Sequence, residues 1–367
     1  MKKKFVFISN MAAPYQVKKA YHLNKYFDTQ FWFYTYIEED RPKWWKIPLG
    51  NRCSLLNNVI SFKKKYITFD VFKRLNEFNP DIIMIGGFTI PGNYLAYLWA
   101  KKNNKKIIVF TEVSRYEDGR LKTNNFSWKI LKFLYKNVDA ILTTTNKDAK
   151  KQYKFLFPNT PIFATTYGAD IDEHLKHPLR DLKDKKEIVL LYANRLIDIY
   201  DPLLAIDIFN ELQKKYPNIR LKMNNDGELK DKCIEKIKKY HLENKIHFLD
   251  DIKSWNDLHL VYKTSDILYL PAKFSNGNMS IIEAMASSMG IVVSNKVNGH
   301  SNILENNKNC FICNHDRDEF VKAISSYIDS PNLLKEHTLD NKSKVSYLSL
   351  ESTAKKYYDI FKEAKII

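Results

Sequence analysis

Arg195 and Glu283, with the polar residues around them, are where the types and spacing of this chain's residues allow chemistry. In YANRLIDIYDP, Asn194 and Arg195 come directly after an apolar run and before a helix start marked by Asp201 and Pro202. A guanidinium at such a crest can grip two phosphate oxygens at once, supported by a helix N-terminus; a surface ion pair is the competing use of a lone arginine. Further along, DILYLPAKFSNGNMSIIEAMA repeats the order strand, loop, helix. Gly277 allows a tight turn there, and Asn278, Met279 and Ser280 present N–H groups at the helix start, where a pyrophosphate would sit without needing a metal. Glu283 lies one turn into that helix and points back to the same crest, placed to accept hydrogen bonds from both hydroxyls of a ribose. As a plain helix-start acid it would gain only about 0.3–1 kcal/mol from the dipole, and the strand, loop and helix setting favours the ligand.

These loops need strands to carry them. Strand-like and helix-like stretches alternate from end to end, which predicts parallel sheets covered by helices on both faces. In the first half the strands are FVFIS (5–9), FWFYTY (31–36), DIIMIGG (81–87), KIIVFTE (106–112), DAILTTT (139–145) and PIFATTYG (161–168). In the second half they are EIVLLYAN (187–194), IRLKMNND (219–226), KIHFLDD (245–251), DILYLPA (266–272) and IVVSN (291–295). The polar, proline-containing HLKHPLRDLKDKK (174–186) reads as a linker. Two doubly wound α/β domains follow, 1–178 and 179–348, with a cleft between the carboxyl ends of their strands. A closing helix in 349–367 carries Tyr357, Ile360 and Phe361 on one face and is expected to cross back to the first domain.

At 367 residues, with a hydrophobic fraction of 44%, the chain suits two globular domains. No apolar run approaches the roughly 20 residues of a membrane helix, and the opening MKKKFVFISN is too short for a signal peptide, so a cytoplasmic location is expected. Cys310 and Cys313 have metal-like spacing, but no second Cys or His pair lies near, and CFIC reads as a short buried strand. The nine histidines show no paired ligand spacing, and no metal site is indicated. The net charge of +17 is uneven: residues 1–178 hold 30 Lys and Arg against 15 Asp and Glu, while residues 179–367 hold 29 against 27. A Lys-rich composition serves solubility in general. The basic runs 63–65 and 101–106, with Trp44 and Trp45 between Lys43 and Lys46, also suit an anionic membrane surface. RNA is a less apt partner, since no aromatic RNP-type strand is present.

The ordered set NRL, NNDGE, HFLDD, DILYLPA, FSNGNMSIIEAMASSMGIVVSN and NILENNKNCFIC resembles the donor-binding domain of glycosyltransferase family 4. SNMAAPYQVKKAYHL and TTYGADID are similar to that family's opening and to its segment before the linker. The resemblance implies the GT-B fold, two Rossmann-like domains facing a central cleft, and retaining transfer of a hexose from a nucleotide diphosphate sugar, UDP being favoured. No cofactor is implied beyond that co-substrate. Carried over, Arg195 with Asn194 binds the pyrophosphate, the amides around Asn278 to Ser280 hold the distal phosphate, Glu283 binds the ribose, and Asp251 and Ile252 border the base. The acceptor side falls on Ala13, Pro14 and Tyr15, on Gly87, and on Glu112, which could instead pair with Arg115 or Arg120.

The sequence departs from the family twice. Tyr200 replaces a lysine five positions after the arginine, and Ser275 replaces the first acid of an E-x7-E pair that contacts the donor sugar. Lys273, beside the loop, is placed to supply the missing ammonium. The family's chemistry uses no evident enzymic nucleophile and depends on positioning and on stabilising the leaving phosphate, so the reaction class tolerates such losses. A catalytically degenerate nucleotide-sugar binding protein and an epimerase on the same fold are the rival readings. The acceptor is expected to be a lipid-linked surface glycan, with peripheral contact to the inner face of the membrane.

Overall fold

The computed structural model describes residues 1–367 except 113–115, 118–119, 122–125, 145–146, 166, 184, 277–278 and 298–302. Two compact units are present. The first comprises Met1–Glu39, Trp45–Gly168 and Leu350–Ile367; the second comprises Asp40–Trp44 and Ala169–Ser349.

In the first unit the strands are β1 (Lys4–Met11), β2 (Asp28–Thr35), β3 (Cys53–Leu55), β4 (Ile60–Phe62), β5 (Lys65–Ile67), β6 (Ile82–Gly86), β7 (Lys106–Thr111), β8 (Tyr116–Glu117), β9 (Arg120–Leu121), β10 (Ala140–Thr144) and β11 (Ile162–Thr165). Among the described residues, seven of them form a parallel sheet in the order β11-β10-β7-β6-β1-β2-β3, while β4–β5 and β8–β9 are antiparallel pairs of their own. Successive side chains of a strand point to opposite faces. Accordingly Val6, Ile8, Ile83 and Ile85 pack into one core layer and Phe5, Phe7, Ile82 and Met84 into the other. Both faces are buried, which is why these strands read as unbroken apolar runs.

The second unit has β12 (Ile188–Tyr192), β13 (Ile219–Met223), β14 (Ile246–Phe248), β15 (Ile267–Leu270), β16 (Gly290–Ser294) and β17 (Phe311–Cys313), all parallel, in the order β14-β13-β12-β15-β16-β17. The same alternation holds: Leu190, Tyr192, Ile267 and Tyr269 face one layer, and Leu191, Leu268 and Leu270 the other. Cys310 and Cys313 are buried free thiols at β17, as the short-strand reading of CFIC expects.

The division between the units differs from the sequence expectation of 178/179. It falls after Gly168, because the polar stretch taken as a linker is tied into the second unit. His174, His177 and Leu182 are buried, and the Arg180 guanidinium donates to the carbonyls of Lys263 (2.8 Å) and Tyr262 (3.0 Å). The chain returns to the first unit at Leu350. There the helix Leu350–Glu363 buries Tyr357, Ile360 and Phe361, with the Phe361 ring 5.8 Å from that of Phe5. Among the described residues no helix is long and apolar enough to cross a membrane.

Candidate functional site

In each sheet the strand order reverses at the first strand of its unit. β12 has β13 on one side and β15 on the other, and β1 has β2 on one side and β6 on the other. Ligands of open parallel sheets bind beyond the carboxyl ends of the strands at such a switch point.

In the second unit the loops after β12, β13 and β15 interlock there. The Leu196 amide donates to the Asp226 carbonyl (2.7 Å), the Leu229 amide to the Leu196 carbonyl (2.8 Å), and the Lys273 amide to the Ile199 carbonyl (3.0 Å). Gly227 is needed for this closeness: its φ is +142°, and a Cβ on it would lie 2.4 Å from the Leu196 carbonyl oxygen. Asp201 ends the first loop as helix cap, its side chain accepting from the Leu204 amide (3.1 Å), with Pro202 in the first turn as its sequence indicates.

Arg195, half-buried, is aimed by two carboxylates. Its Nε donates to Asp226 Oδ2 (2.9 Å) and its Nη1 to Asp40 Oδ2 (3.1 Å). Asn194 beside it is buried. On the neighbouring loop Lys273 Nζ meets Asp198 (2.7 Å) and lies 4.0 Å from Asp201, so this ammonium stands against the loop that carries Tyr200. Ser275 is buried, its amide bonded to the Lys296 carbonyl (3.2 Å). Gly277 and Asn278 lie outside the described residues. The helix that follows is Met279–Ala286, so Met279 and Ser280 occupy its first turn.

Glu283 is 4% exposed. Burial lifts its carboxyl from the ordinary 4.5 to about 7, against the hydrogen bond that Tyr262 Oη donates to its Oε2 (2.5 Å). This refines the sequence expectation: with one oxygen held by Tyr262, a diol would be met chiefly by the other. Around this pair, the His174 ring lies 5.0 Å from that of Tyr262 and its Nδ1 is 2.9 Å from Ser287 Oγ. Burial brings His174 down to about 3, so it is neutral at physiological pH. Asp251 and Ile252 follow the edge strand β14, with β13 between them and β12.

The first unit's switch point carries less charge. Ala13 begins the helix Pro14–Leu23 with Pro14 at its first position, and the Tyr15 ring lies 6.0 Å from that of Tyr167. Gly87 has φ +83°, and its carbonyl, with that of Gly86, accepts from Asn93 Nδ2 (3.1 and 3.0 Å). Glu112 is exposed beyond β7, and its carbonyl accepts from Tyr153 Oη (2.5 Å). Arg115 and the Arg120 side chain, its alternative partners, lie outside the described residues.

Residues 176–344 match the family described as Glycosyl transferases group 1. An uncharacterized glycosyltransferase of Haemophilus influenzae is 31% identical over 135 residues, 36% of this chain and 37% of that protein. An uncharacterized glycosyltransferase of Methanocaldococcus jannaschii, MJ1059, is 26% identical over 279 residues, 71% of this chain and 66% of that protein. The chain thus spans between about a third and two thirds of the length of these curated relatives. Among solved structures, the pneumococcal O-GlcNAc transferase GtfA in complex with UDP and GlcNAc aligns with a TM-score of 0.75 over 99% of both chains, at 11% identity. The fold is GT-B. The matched family region contains Arg195, Lys273, Ser275 and Glu283.

Sequence reasoning missed Asp226, Asp40 and Tyr262. Asp226 was within reach as the acid of NNDGE, directly before the glycine that lets the loops close. Asp40 and Tyr262 carry no local signal, since their partners lie 155 and 21 residues away.

Proposed function

We propose that this protein is a glycosyltransferase that moves a hexose, with retention of configuration, from a nucleotide diphosphate sugar to a lipid-linked surface glycan. UDP is the favoured carrier. The observation that carries the reading is the aimed guanidinium of Arg195 at the switch point of β12 and β15, one loop away from a helix that begins at Met279 and buries Glu283. In this reading Arg195 and the first-turn amides of that helix hold the diphosphate, and Glu283 accepts from the ribose hydroxyls. The anomeric C–O bond to the phosphate breaks, the acceptor oxygen bonds to the same face of that carbon, and its proton passes to the leaving phosphate. That route needs placement and charge stabilisation rather than a metal or an enzymic nucleophile. Lys273, whose amide is bonded to the residue before Tyr200, supplies the ammonium that Tyr200 lacks. The acceptor is held on Ala13 to Tyr15, Gly87 and Glu112, and the basic first half of the chain turns toward an anionic membrane surface on the cytoplasmic side.

A thermal-shift screen of UDP-, GDP- and dTDP-sugars tests the donor site, because a ligand that binds only the folded form raises its melting temperature. A UDP-sugar should raise it most, and the shift should shrink clearly in Arg195→Ala. No shift with any of them would refute the donor reading. Turnover of a labelled sugar nucleotide separates an enzyme from the degenerate binding protein that Tyr200 and Ser275 bring to mind.

A further inference from the structure

Three stretches of the first half combine lysines or aromatics in a way that suits a charged membrane, and the structure separates them. Lys101 and Lys106 both reach Asp139 (3.1 Å each). The Trp44 ring lies 6.1 Å from that of Trp255, within the second unit. The third stretch, 63–65, forms the tip of the hairpin β4–β5 and the start of its return strand.

This hairpin has an inner and an outer side. Tyr66 is buried and stacks on Tyr34 of β2 (5.6 Å, 9° between planes), so its partner Ser61 shares the inner side. Strand alternation then puts Ile60, Phe62 and Lys65 outward. Ile60 and Phe62 are each 71% exposed, although a solvated strand has no use for two large apolar groups there. The root is firm: Thr68 Oγ1 donates to the Asn57 carbonyl (2.6 Å), and the Asn57 amide to Asp70 (2.8 Å). The tip is costly. Its two turn residues, Lys63 and Lys64, have φ of +46° and +60°, the conformation for which two-residue hairpins prefer Asn-Gly. Lysine in the left-handed region is disfavoured; Lys64 has a structural partner there, its Nζ 3.3 Å from the buried Glu38 carboxylate, whereas Lys63, its Nζ 5.3 Å from the Phe62 ring, keeps its ammonium at the tip at the expense of turn stability. Residues in sparsely populated backbone regions gather at functional sites.

We propose that the hairpin Ile60–Ile67 is a docking finger for an anionic lipid bilayer, with Ile60 and Phe62 entering the headgroup boundary while Lys63 and Lys65 meet lipid phosphates. The inference deepens the membrane part of the proposed function and rests on it. An apolar pair flanked by lysines is the composition of interfacial anchors, whereas lysine is depleted at protein–protein interfaces. The helix Phe126–Leu134 packs on the same core layer as Tyr66 and shows the same composition: Trp128 and Leu131 pack inward while Phe133 is 71% exposed, with Lys136 Nζ 5.6 Å from its ring.

The test is co-sedimentation of the full chain with vesicles of phosphatidylcholine, with and without phosphatidylglycerol, at low and high salt. The wild type should bind the phosphatidylglycerol vesicles in a salt-sensitive way, and the pair Ile60→Ser with Phe62→Ser should weaken binding about tenfold or more. The substitution Lys63→Asn, which suits the left-handed turn position, should weaken it severalfold while leaving the melting temperature equal or higher, a combination that a merely structural role does not produce. The UDP-sugar thermal shift should be unchanged in both. No binding by the wild type at low salt would overturn the membrane reading itself. Wild-type binding that both hairpin variants retain would overturn the finger and leave that reading standing. If light scattering shows that Ile60→Ser with Phe62→Ser turns an oligomer into a monomer, the finger is instead a contact between copies and the proposal fails.

Discussion

The two units repeat one sheet plan and bury opposite charges. In the second, Glu283 sits in the helix after β15, buried, with Tyr262 as hydrogen-bond donor. In the first, Lys19 sits in the helix after β1, 1% exposed, its Nζ 5.7 Å from the Tyr15 ring centroid and 5.4 Å from that of Tyr357. Burial moves both groups toward neutrality, Glu283 up to about 7 and Lys19 down to about 7. The crests above them differ as well: the second unit presents Arg195 and Lys273 with their carboxylates, and the first presents Ala13, Pro14, Tyr15 and Gly87, with the acids Glu112 and Glu38, the latter accepting from Asn10 (2.7 Å). A shared topology fixes where a ligand can sit, and the side chains at the crest fix which ligand it is. Under the proposed function the cationic crest takes the diphosphate and the first unit's crest takes the acceptor.

The strongest break of that contrast is Arg195→Ala. Removing a charge-assisted donor pair costs on the order of 1.5–3 kcal/mol, so affinity for UDP-glucose should fall roughly 10- to 100-fold by calorimetry. Alanine at Tyr15, on the first unit's crest, should leave that affinity unchanged. Equal losses at both crests would erase the distinction between donor and acceptor sides.

The buried pair sharpens the comparison through pH. Between the ordinary carboxylate value of 4.5 and about 7, native Glu283 holds a proton that the unfolded chain has released, so its contribution to stability falls as pH rises through that window. Glu283→Gln removes the penalty, and at pH 8 the variant should resist urea by on the order of 2 kcal/mol more than wild type, with no difference below pH 4.5. Lys19 has the opposite slope. Between about 7 and 10.5 the unfolded lysine binds the proton that the native one lacks, so stability rises with pH there. Lys19→Met should therefore stabilise most near pH 7 and progressively less toward pH 10. Function separates the two again: wild-type affinity for UDP-glucose should weaken as pH drops below 7 and Glu283 takes its proton, while Glu283→Gln binds about tenfold more weakly with a flat profile.

Much of this was legible in the sequence, for physical reasons. Strands buried on both faces leave continuous apolar runs such as IVLLY and IIMIG, and all eleven strands expected from those runs are present. Asp201 with Pro202, and the strand, loop and helix order around Ser275, are local signals, and the structure follows them. The three-residue strands of the first unit, Cys53–Leu55 and the Ile60–Ile67 hairpin, were not legible, because three residues carry no periodicity. The division between the units was misplaced by ten residues because HLKHPLRDLKDKK is polar in composition yet anchored by single buried side chains, His174, His177 and Leu182. At the candidate site, Arg195 and Glu283 were named from the sequence, whereas Asp226, Asp40 and Tyr262, which hydrogen-bond to them, were not. Tyr262 and Asp40 matter only through partners that folding brings to them.

Asp40 gives the smallest expected effect and the finest test of how Arg195 is prepared. Two carboxylates share that guanidinium, and they differ in kind. Asp226 belongs to the interlocked loop after β13, held by Gly227, and bonds Nε at 2.9 Å. Asp40 arrives on the short segment Asp40–Trp44 and takes Nη1 at 3.1 Å, on the outer part of the fork that a phosphate would use. Under the proposed function, Asp226 then orients the arginine, while Asp40 occupies part of its binding edge and competes with the anion. Asp40→Asn weakens the competitor without removing the side chain, and affinity for UDP-glucose should rise about two- to fivefold, within the range of about 1 kcal/mol of a partly exposed ion pair. Asp226→Asn should lower it. If both substitutions shift affinity in the same direction, the two acids act only through net charge, and the division between orienting and competing partner is wrong.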